Sequence, residues 1–306
     1  MPTRIKDLKL GWIGTGRMGF EMAGRLARGG CDIAVWNRTR AKAEPLAQHG
    51  AIVVGDLKDL SGRDIVFCMV STWEDVKQVM GKLLENKNKP RMVVECSSIS
   101  LEGSAELREI LKKKNIEYLA APVSGNAKVI KAGKLTFVVS GPKAAYEAAR
   151  PYLDMMGTGS SYVGEGELSR IVKICHNVFL GVVIQSMCEI TILAQKAGVP
   201  RHAFLDFLNG SVMGSMFTRY KTPALVNLDF QVTFTPQLLK KDMDLGLDAG
   251  RRFDVPMPVA ALTRDLIQQM ISHGLTEEDF SALIRMQAKA SGIELQSENK
   301  EIGDGL

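Results

Sequence analysis

The sequence lacks the features that mark several protein classes. Its five cysteines include no Cys-x-x-Cys pair, and their odd number argues against a disulfide framework, so a reducing compartment is expected. The four histidines lie far apart in the sequence and indicate no metal site. The most apolar stretch, 178–194, contains Gln185 and Glu189 and falls short of the roughly 18 uninterrupted apolar residues of a membrane span.

Charge and composition narrow the possibilities further. A net charge of +5 over 306 residues is too small to favour nucleic acid or a membrane surface as a partner. Charged residues also interrupt the amino-terminal apolar residues before an export signal of about 7–15 apolar residues can form. With 45% hydrophobic and 24% charged residues, we expect a cytoplasmic globular protein of about two domains.

Short apolar runs alternate with helical patterns in the first half of the chain. The predicted strands are residues 8–13, 32–36, 52–54, 64–70, 91–95 and 117–121. The predicted helices between them are residues 17–28, 40–49, 57–60, 73–84 and 101–114. Two more strands, 135–140 and 161–163, enclose a helix at 143–155. This alternation predicts an α/β domain of Rossmann type, with a mostly parallel, doubly wound sheet.

Helical patterns alone follow Gly166. Residues 167–198 contain no proline and only Gly181 inside, which predicts one long helix. The shorter predicted helices are residues 201–209, 236–253, 258–273 and 280–291. The predicted organisation is therefore a nucleotide-binding domain (1–164), an all-α domain beginning with the long helix (165–295) and a flexible tail (296–306).

A glycine-rich loop joins the first strand to the first helix. It reads Gly14-Thr15-Gly16-Arg17-Met18-Gly19, a GxGxxG pattern in the strand–turn–helix context of a dinucleotide site. Gly14 permits the tight turn, Gly16 lets the backbone approach a pyrophosphate, and Gly19 allows close packing of helix on strand. The N–H groups at the start of the helix would then face the phosphates.

The residues after the second strand favour NADP(H) over NAD(H). An NAD site places a carboxylate about 20 residues beyond the loop, where it accepts from the ribose 2′-hydroxyl. This sequence has Asn37-Arg38-Thr39-Arg40 instead, without a carboxylate to repel a 2′-phosphate. Arg38 can stack on adenine or pair with phosphate, and Asn37 and Thr39 can add donors. Arg40 can add donors to a 2′-phosphate, or it can be a solvated charge at the start of a helix, and the sequence favours neither role.

Two further turns are expected at the carboxyl edge of the sheet, where doubly wound folds bind their ligands. One contains Val70, Ser71 and Thr72, and the other contains Ser98. Their hydroxyl groups can contact the nicotinamide half of a cofactor or cap the next helix, and the sequence leaves both roles open.

Lys173 and Asn177 lie four residues apart in the long predicted helix, so they share one face. Their neighbours Ile171, Val172 and Ile174 are apolar. Desolvation would lower the pKa of such a lysine towards about 7–8 in a favourable site, which suits a general acid or base. The same spacing also fits a surface lysine whose stem covers apolar neighbours.

Four motifs, in this order, resemble the β-hydroxyacid dehydrogenases, a family that includes 3-hydroxyisobutyrate dehydrogenases, tartronate semialdehyde reductases and glyoxylate/succinic semialdehyde reductases. The motifs are the loop at 14–19, Ala121-Pro122-Val123-Ser124-Gly125, the stretch 164–177 (GEGELSRIVKICHN) and Lys241-Asp242. The resemblance extends from Leu8 to about Gly292. It implies a fold like that of 6-phosphogluconate dehydrogenase and a homodimer or homotetramer.

The resemblance also implies the chemistry. A small β-hydroxy acid and its semialdehyde or keto form would be interconverted by hydride transfer with NADP(H), without a metal. Lys173 would be the general acid/base, and Asn177 would hold the lysine or the substrate oxygen. The residues implied to bind substrate are Ser98, Ser124, Gly125, Asn126, Lys173, Asn177 and Lys241, of which Ser98 and Lys241 would also contact the cofactor.

Departures from the family pattern leave the substrate open. Ala120 stands where the family usually has Asp, Asn126 replaces a glycine, and Ser98 replaces a threonine. Two other functions compete. An imine reductase-like enzyme on the same scaffold would usually lack Lys173, and a non-catalytic NADP-binding module would not need the Lys173–Asn177 pair.

Overall fold

The computed structural model describes residues 8–305, which form two compact units that meet in sequence at Lys173 and Ile174. The first unit contains a parallel sheet of six strands: β1 (Leu10–Ile13), β2 (Ile33–Trp36), β3 (Ile52–Val53), β4 (Ile65–Cys68), β5 (Met92–Glu95) and β6 (Glu117–Ala120). The strand order is β3-β2-β1-β4-β5-β6. The Rossmann-type architecture predicted from the sequence is therefore confirmed.

Five helices accompany this sheet: α1 (Arg17–Arg28), α2 (Trp73–Leu83), α3 (Leu101–Lys112), α4 (Ala127–Lys131) and α5 (Lys143–Met156). Successive strand side chains point to opposite faces, and each face has its own apolar core. Trp12 and Phe67 stack with ring centroids 5.5 Å apart in the core shared with α1 and α5. Val66 and Cys68 lie in the other core, against α2 and α3.

A second, smaller sheet follows β6. It consists of β7 (Val123–Ser124), β8 (Thr136–Val139) and β9 (Gly159–Tyr162), with β7 antiparallel to β8 and β8 parallel to β9. The two strands predicted at 135–140 and 161–163 are β8 and β9. β7 and α4, of two and five residues, are too short to give a periodic signal and were not predicted.

One predicted helix is wrong. Residues 40–49 form two short 3-10 helices, Arg40–Lys42 and Glu44–His49, instead of one α-helix. Pro45 is the second residue of the second one, and it has no N–H group to continue a helical hydrogen-bond ladder from the first. The predicted helix at 57–60 is likewise a 3-10 helix, Leu57–Leu60, capped by the side chain of Asp56.

The second unit is helical throughout its described residues. Its helices are α6 (Leu168–Lys196), which begins in the first unit, α7 (Arg201–Gly210), α8 (Met216–Asn227), α9 (Pro236–Arg252), α10 (Pro258–Ser272) and α11 (Leu283–Ala290). The sequence analysis missed α8, because Pro223 lies inside it and Pro is unfavourable in a helix interior. By length and composition α6 could cross a membrane, but half of its most apolar 18-residue window is buried.

Two polar clusters hold the second unit together. Lys221 and Asp279 are both buried, and the Lys221 ammonium donates to Asp279 Oδ1 at 2.6 Å. At the carboxyl end of the chain, within the segment predicted as a flexible tail, Glu298 accepts from the backbone N–H groups of Arg201 and His202 at 2.7 and 3.0 Å. A residue remote in sequence therefore caps the first turn of α7.

Candidate active site

Of the three glycines in the glycine-rich loop, only Gly16 has open space where a side chain would be. Gly14 has a φ of +93°, and a Cβ there would lie 2.2 Å from the carbonyl oxygen of Met69. A Cβ on Gly19 would lie 1.9 Å from the carbonyl oxygen of Gly14, so neither position can carry a side chain. A Cβ on Gly16 would meet nothing within 4 Å. The open side of the loop is therefore at Gly16, the residue before α1.

The polar groups around Gly16 fit a phosphate. Gly16 is the N-cap of α1 and contributes no side-chain cap, while the first N–H groups of any helix lack intrahelical acceptors. Arg17 is exposed at the first position of the helix, and Met18 packs partly against the core. The hydroxyl oxygen of Thr15 is buried without a hydrogen-bond partner. An anion at Gly16 would satisfy groups that the protein itself leaves unsatisfied.

The end of β2 is tied to this loop by Asn37. Its side-chain oxygen accepts from Thr15 N at 2.8 Å, and its amide group donates to the Thr39 carbonyl at 2.9 Å. Arg38 is 77% exposed and pairs with Asp75, with 3.3 Å between Nη1 and Oδ1. The sequence showed no carboxylate at residues 37–40, yet the fold supplies one from the first turn of α2.

The turns after β4 and β5 lie at the same edge of the sheet as the loop, because all these strands are parallel. Thr72 and Asp75 form a capping box at the start of α2, so the Thr72 hydroxyl has the capping role that the sequence had left open. Ser71 is exposed, and Val70 and Ser98 are half-buried. Ser97, one residue before Ser98, accepts from Val70 N at 2.9 Å and joins the two turns.

The predicted substrate segment follows β6 in the first unit. Ser124 ends β7 and is half-buried, and Gly125 has a φ of +137°. The side-chain oxygen of Asn126 accepts from Val129 N at 3.1 Å and caps α4. The amide group of Asn126 is therefore oriented by capping the short helix that follows.

Lys173 is half-buried in α6, and Asn177, one turn further along the same helix, is 5% exposed. The amide nitrogen of Asn177 donates to Asp242 Oδ2 at 2.5 Å, and its oxygen lies 2.9 Å from His176 Nδ1. Lys241 Nζ lies 3.3 Å from the other oxygen of Asp242. The second unit thus brings together two of the predicted site residues, Asn177 and Lys241, through Asp242.

Close packing of α6 on α9 makes this cluster possible. A Cβ on Gly246 would lie 2.1 Å from Val178 Cγ2, so only glycine fits between the helices there. Sequence reasoning had noted Asp242 only as part of a motif and gave it no role. A signal was present, because Asp242 is a charged residue on the face of α9 that otherwise carries Leu239, Met243 and Gly246.

Two family models together cover most of the chain. Residues 9–164 match the NAD binding domain of 6-phosphogluconate dehydrogenase. Residues 166–287 match the model described as NAD-binding of NADP-dependent 3-hydroxyisobutyrate dehydrogenase. The boundary between the matches falls next to Gly166, where the sequence pattern changes from alternating to helical.

Two similar proteins are named as a reductase and a dehydrogenase. A glyoxylate/succinic semialdehyde reductase of Arabidopsis thaliana, described as chloroplastic, is 30% identical over 95% of this chain and 82% of its own length. The 2-(hydroxymethyl)glutarate dehydrogenase of Eubacterium barkeri is 29% identical over 94% of this chain and 97% of its own length.

Solved structures agree. A 3-hydroxyisobutyrate dehydrogenase from Salmonella typhimurium superposes with a TM-score of 0.84 at 26% identity, covering 92% of this chain and 100% of that one. An imine reductase from Myxococcus stipitatus, solved with NADP+, has a TM-score of 0.58 at 24% identity over 90% of this chain and 99% of its own, a likeness of fold alone. The chain belongs to the β-hydroxyacid dehydrogenase family of NAD(P)-dependent oxidoreductases, which act on CH–OH groups.

Proposed function

We propose that the protein is an NADP(H)-dependent reductase that interconverts a small semialdehyde or keto acid and the corresponding β-hydroxy acid, with Lys173 as the general acid/base. The observation that carries the proposal is the setting of Asn177. This amide is buried one helical turn from Lys173 and is held at both ends, by Asp242 and by His176. A side chain fixed so firmly can orient a neighbouring ammonium or a substrate oxygen.

The nucleotide binds, in this proposal, at the loop 14–19. The open side at Gly16 and the unsatisfied Thr15 hydroxyl support a pyrophosphate there. Arg38, largely exposed and held by one ion pair, is available to a 2′-phosphate, and Thr39 adds donors beside it. A bound nicotinamide supplies the hydride in the reductive direction.

The protein's own residues supply the proton and the positioning. Lys173 in its charged form donates a proton to the carbonyl oxygen during reduction and stabilises the negative charge that develops there. In oxidation the neutral amine accepts the hydroxyl proton. Ser124 and the backbone of Gly125 and Asn126 hold the substrate carboxylate, and Lys241 adds positive charge.

The substrate class follows the relatives. Those reported above are named for glyoxylate, succinic semialdehyde, 3-hydroxyisobutyrate and 2-(hydroxymethyl)glutarate, all small carboxylates. We extend that class, including tartronate semialdehyde, to this chain, and we place the protein in the cytoplasm. The exposed apolar side chains of α6, such as Phe179 and Leu193, each 69% exposed, support a homodimer or homotetramer.

The test is NADPH consumption with a panel of glyoxylate, succinic semialdehyde, tartronate semialdehyde and methylmalonate semialdehyde, with a cyclic imine for comparison. We expect at least one semialdehyde to be reduced and the imine to be inert. Lys173→Ala should lose about 10²–10⁴-fold in kcat while retaining NADPH affinity. Lys196→Ala, at the far end of the same helix, is the matched control and should keep full activity. Full turnover by Lys173→Ala would remove the lysine from the reaction.

A further inference from the structure

A buried ion pair lies beneath the carboxyl edge of the large sheet. Glu95 is the last residue of β5, Arg170 lies in the first turn of α6, and their side chains are 0% and 1% exposed. An Arg170 Nη2 group donates to Glu95 Oε2. Removing two charges from water costs several kcal/mol per ion, so such a pair rarely serves stability alone. The remaining hydrogen bonds of the pair indicate another role.

Both members of the pair bind Ser97, in the turn after β5. Glu95 Oε1 accepts from Ser97 N at 2.8 Å, and Arg170 Nη1 donates to the Ser97 carbonyl at 2.5 Å. The Ser97 hydroxyl in turn accepts from Val70 N in the turn after β4. The pair therefore fixes the two turns that contain the proposed cofactor contacts Val70 and Ser98.

The other hydrogen bonds of Arg170 reach the neighbouring elements of the first unit. Nε donates to the Ser104 hydroxyl in α3 and Nη2 to the Tyr118 hydroxyl in β6, both at 3.2 Å. Burial raises the pKa of Tyr118 to about 12, with Arg170 opposing the rise. Burial works against the charged guanidinium, yet Glu95 raises the pKa of Arg170 above its ordinary value. Glu95 thus holds Arg170 in its charged form.

Two adjacent residues, Arg170 and Ser169, hold the start of α6. Ser169, beside Arg170, donates through its hydroxyl to the Ala120 carbonyl at the end of β6, at 2.9 Å. Lys173 follows Arg170 by three residues in this helix, less than one turn away. The position of the helical turn that carries Lys173 is therefore set by Ser169 and by Arg170, and Arg170 also holds the turn after β5.

We propose that Glu95 and Arg170 are positioning residues for the reaction. They hold the turns after β4 and β5 and the first turn of α6 in one rigid frame, which keeps Lys173 in register with the nucleotide contacts. Neither residue touches substrate. This inference rests on the proposed function for its catalytic consequence, and a displacement of about 1 Å can cost about 10²-fold in rate.

Arg170→Lys is the first test variant. It keeps the charge and lets Glu95 remain paired, but an ammonium cannot reproduce the planar fork that reaches Glu95, Ser97 and Tyr118 together. We expect kcat with NADPH to fall about tenfold or more, with KM and the NADPH Kd changing less than about threefold. The primary isotope effect with 4-deuterated NADPH should rise, because hydride transfer becomes more strongly rate-limiting.

Glu95→Gln combined with Arg170→Gln is the second test variant. It removes both charges without leaving one buried alone, which protects the fold if either single change does not. The control for lost stability is Asp279→Asn, which removes one charge from the buried Lys221–Asp279 pair of the second unit and leaves the other in place. Assayed well below its unfolding temperature, the control should lose stability but keep kcat and the isotope effect. An equal loss of kcat in Asp279→Asn would reduce the effect of Arg170 to stability and overturn the proposal.

Hydrogen–deuterium exchange of the unliganded proteins tests the frame without relying on turnover. In both test variants, exchange should rise together in peptides covering 69–72, 96–100 and 167–173, and stay unchanged at β8 and β9. Unchanged exchange in any of the three peptides overturns the proposal, as does wild-type kcat in a variant whose turns have loosened. If the wild type binds NADPH but reduces no aldehyde, the proposed function fails, and hydrogen–deuterium exchange still decides whether the pair holds the turns.

Discussion

The side-chain amide of Asn177 donates to the buried carboxylate of Asp242 across 65 residues of sequence, at 2.5 Å. The other oxygen of Asp242, Oδ1, forms an ion pair with Lys241 Nζ at 3.3 Å. A single carboxylate therefore orients both an amide and an ammonium group. The amide oxygen of Asn177 forms a hydrogen bond with His176 Nδ1, so the amide group cannot rotate without breaking hydrogen bonds. The orientation of Asn177 in the second unit is therefore decided by Asp242.

Asp242→Asn should lower activity through Asn177. The substituted amide can still accept from Asn177, but it loses the charge that strengthens that hydrogen bond and pairs with Lys241. We expect kcat to fall about 10–100-fold, since hydrogen bonds to charged groups contribute about 1.5–3 kcal/mol. Steady-state kinetics with the preferred semialdehyde measures this. Asp248→Asn, an exposed position of the same helix, is the control, and equal rates in both variants would show that Asp242 does not act through Asn177.

The sequence was sufficient for the elements whose signals are local. The bounds of α1 agree with the predicted helix 17–28, and the six strands of the large sheet were all located from apolar runs. Errors occurred where a proline changed a local pattern, at Pro45 between two 3-10 helices and at Pro223 inside α8. At Pro45 the missing N–H group interrupts the helix, whereas α8 continues through Pro223.

The polar pairs of the site were beyond sequence reasoning for a different reason. Glu95 and Arg170 are 75 residues apart, and no pattern in either segment indicates that they meet. One weaker signal was available, because Glu95 ends the apolar run Met92–Val94, and a lone charge there requires a partner. Asp75 gave no signal either, because it lies 37 residues beyond Arg38 in sequence and reaches it only through the fold.

Arg38→Ala should weaken the binding of NADPH much more than the binding of NADH. If Arg38 binds the 2′-phosphate, the Kd of NADPH should rise about 10–100-fold, the range expected for a charge-assisted hydrogen bond of about 1.5–3 kcal/mol. The Kd of NADH should barely change, and nucleotide fluorescence measures both. Equal weakening of both nucleotides would contradict the assignment of the 2′-phosphate.

Asp75→Asn should increase the preference for NADPH over NADH, the opposite of the effect expected for Arg38→Ala. The variant removes the carboxylate that pairs with Arg38, so the guanidinium no longer has to leave a partner to bind phosphate. NADPH affinity should rise about two- to fivefold, because exposed ion pairs contribute only about 0.2–1 kcal/mol. Glu74→Gln, the preceding residue of α2, controls for net charge. The same gain in Glu74→Gln would mean that long-range charge, and not the pair with Arg38, explains the effect.

Asp279→Asn should change how stability depends on pH. Burial favours the neutral acid, but Lys221 and several hydrogen bonds hold the pKa of Asp279 below its ordinary value of 3.8. The ion pair therefore contributes stability above that value, and the contribution is lost as pH falls through the lower pKa of the folded state. At pH 7 the variant should be about 3–5 kcal/mol less stable, as for other broken buried pairs. Urea unfolding at pH 7 and at pH 3 measures the difference, which should narrow at pH 3; a constant difference would show that the charge of Asp279 is not responsible.

Glu298→Gln tests whether the carboxyl-terminal segment stabilises α7. The carboxylate of Glu298 accepts from Arg201 N and His202 N, so it caps the helix and also lies at the positive end of the helix dipole. Burial would raise the pKa of Glu298, but the hydrogen bonds from His202 and Arg201 lower it, which indicates that the folded state favours the anion.

The neutral amide of Glu298→Gln keeps one acceptor and loses the charge, so the free energy of unfolding at pH 7 should fall by about 1 kcal/mol. Because the pKa of Glu298 is lowered on folding, the difference from wild type should shrink as pH falls below the ordinary value of 4.5. Urea unfolding at pH 7 and at pH 3 measures both the loss of stability and its dependence on pH. Glu301→Gln, an exposed acid of the same segment, should leave stability unchanged at either pH. If Glu298→Gln were as stable as Glu301→Gln, the hydrogen bonds of Glu298 would contribute nothing to the stability of α7.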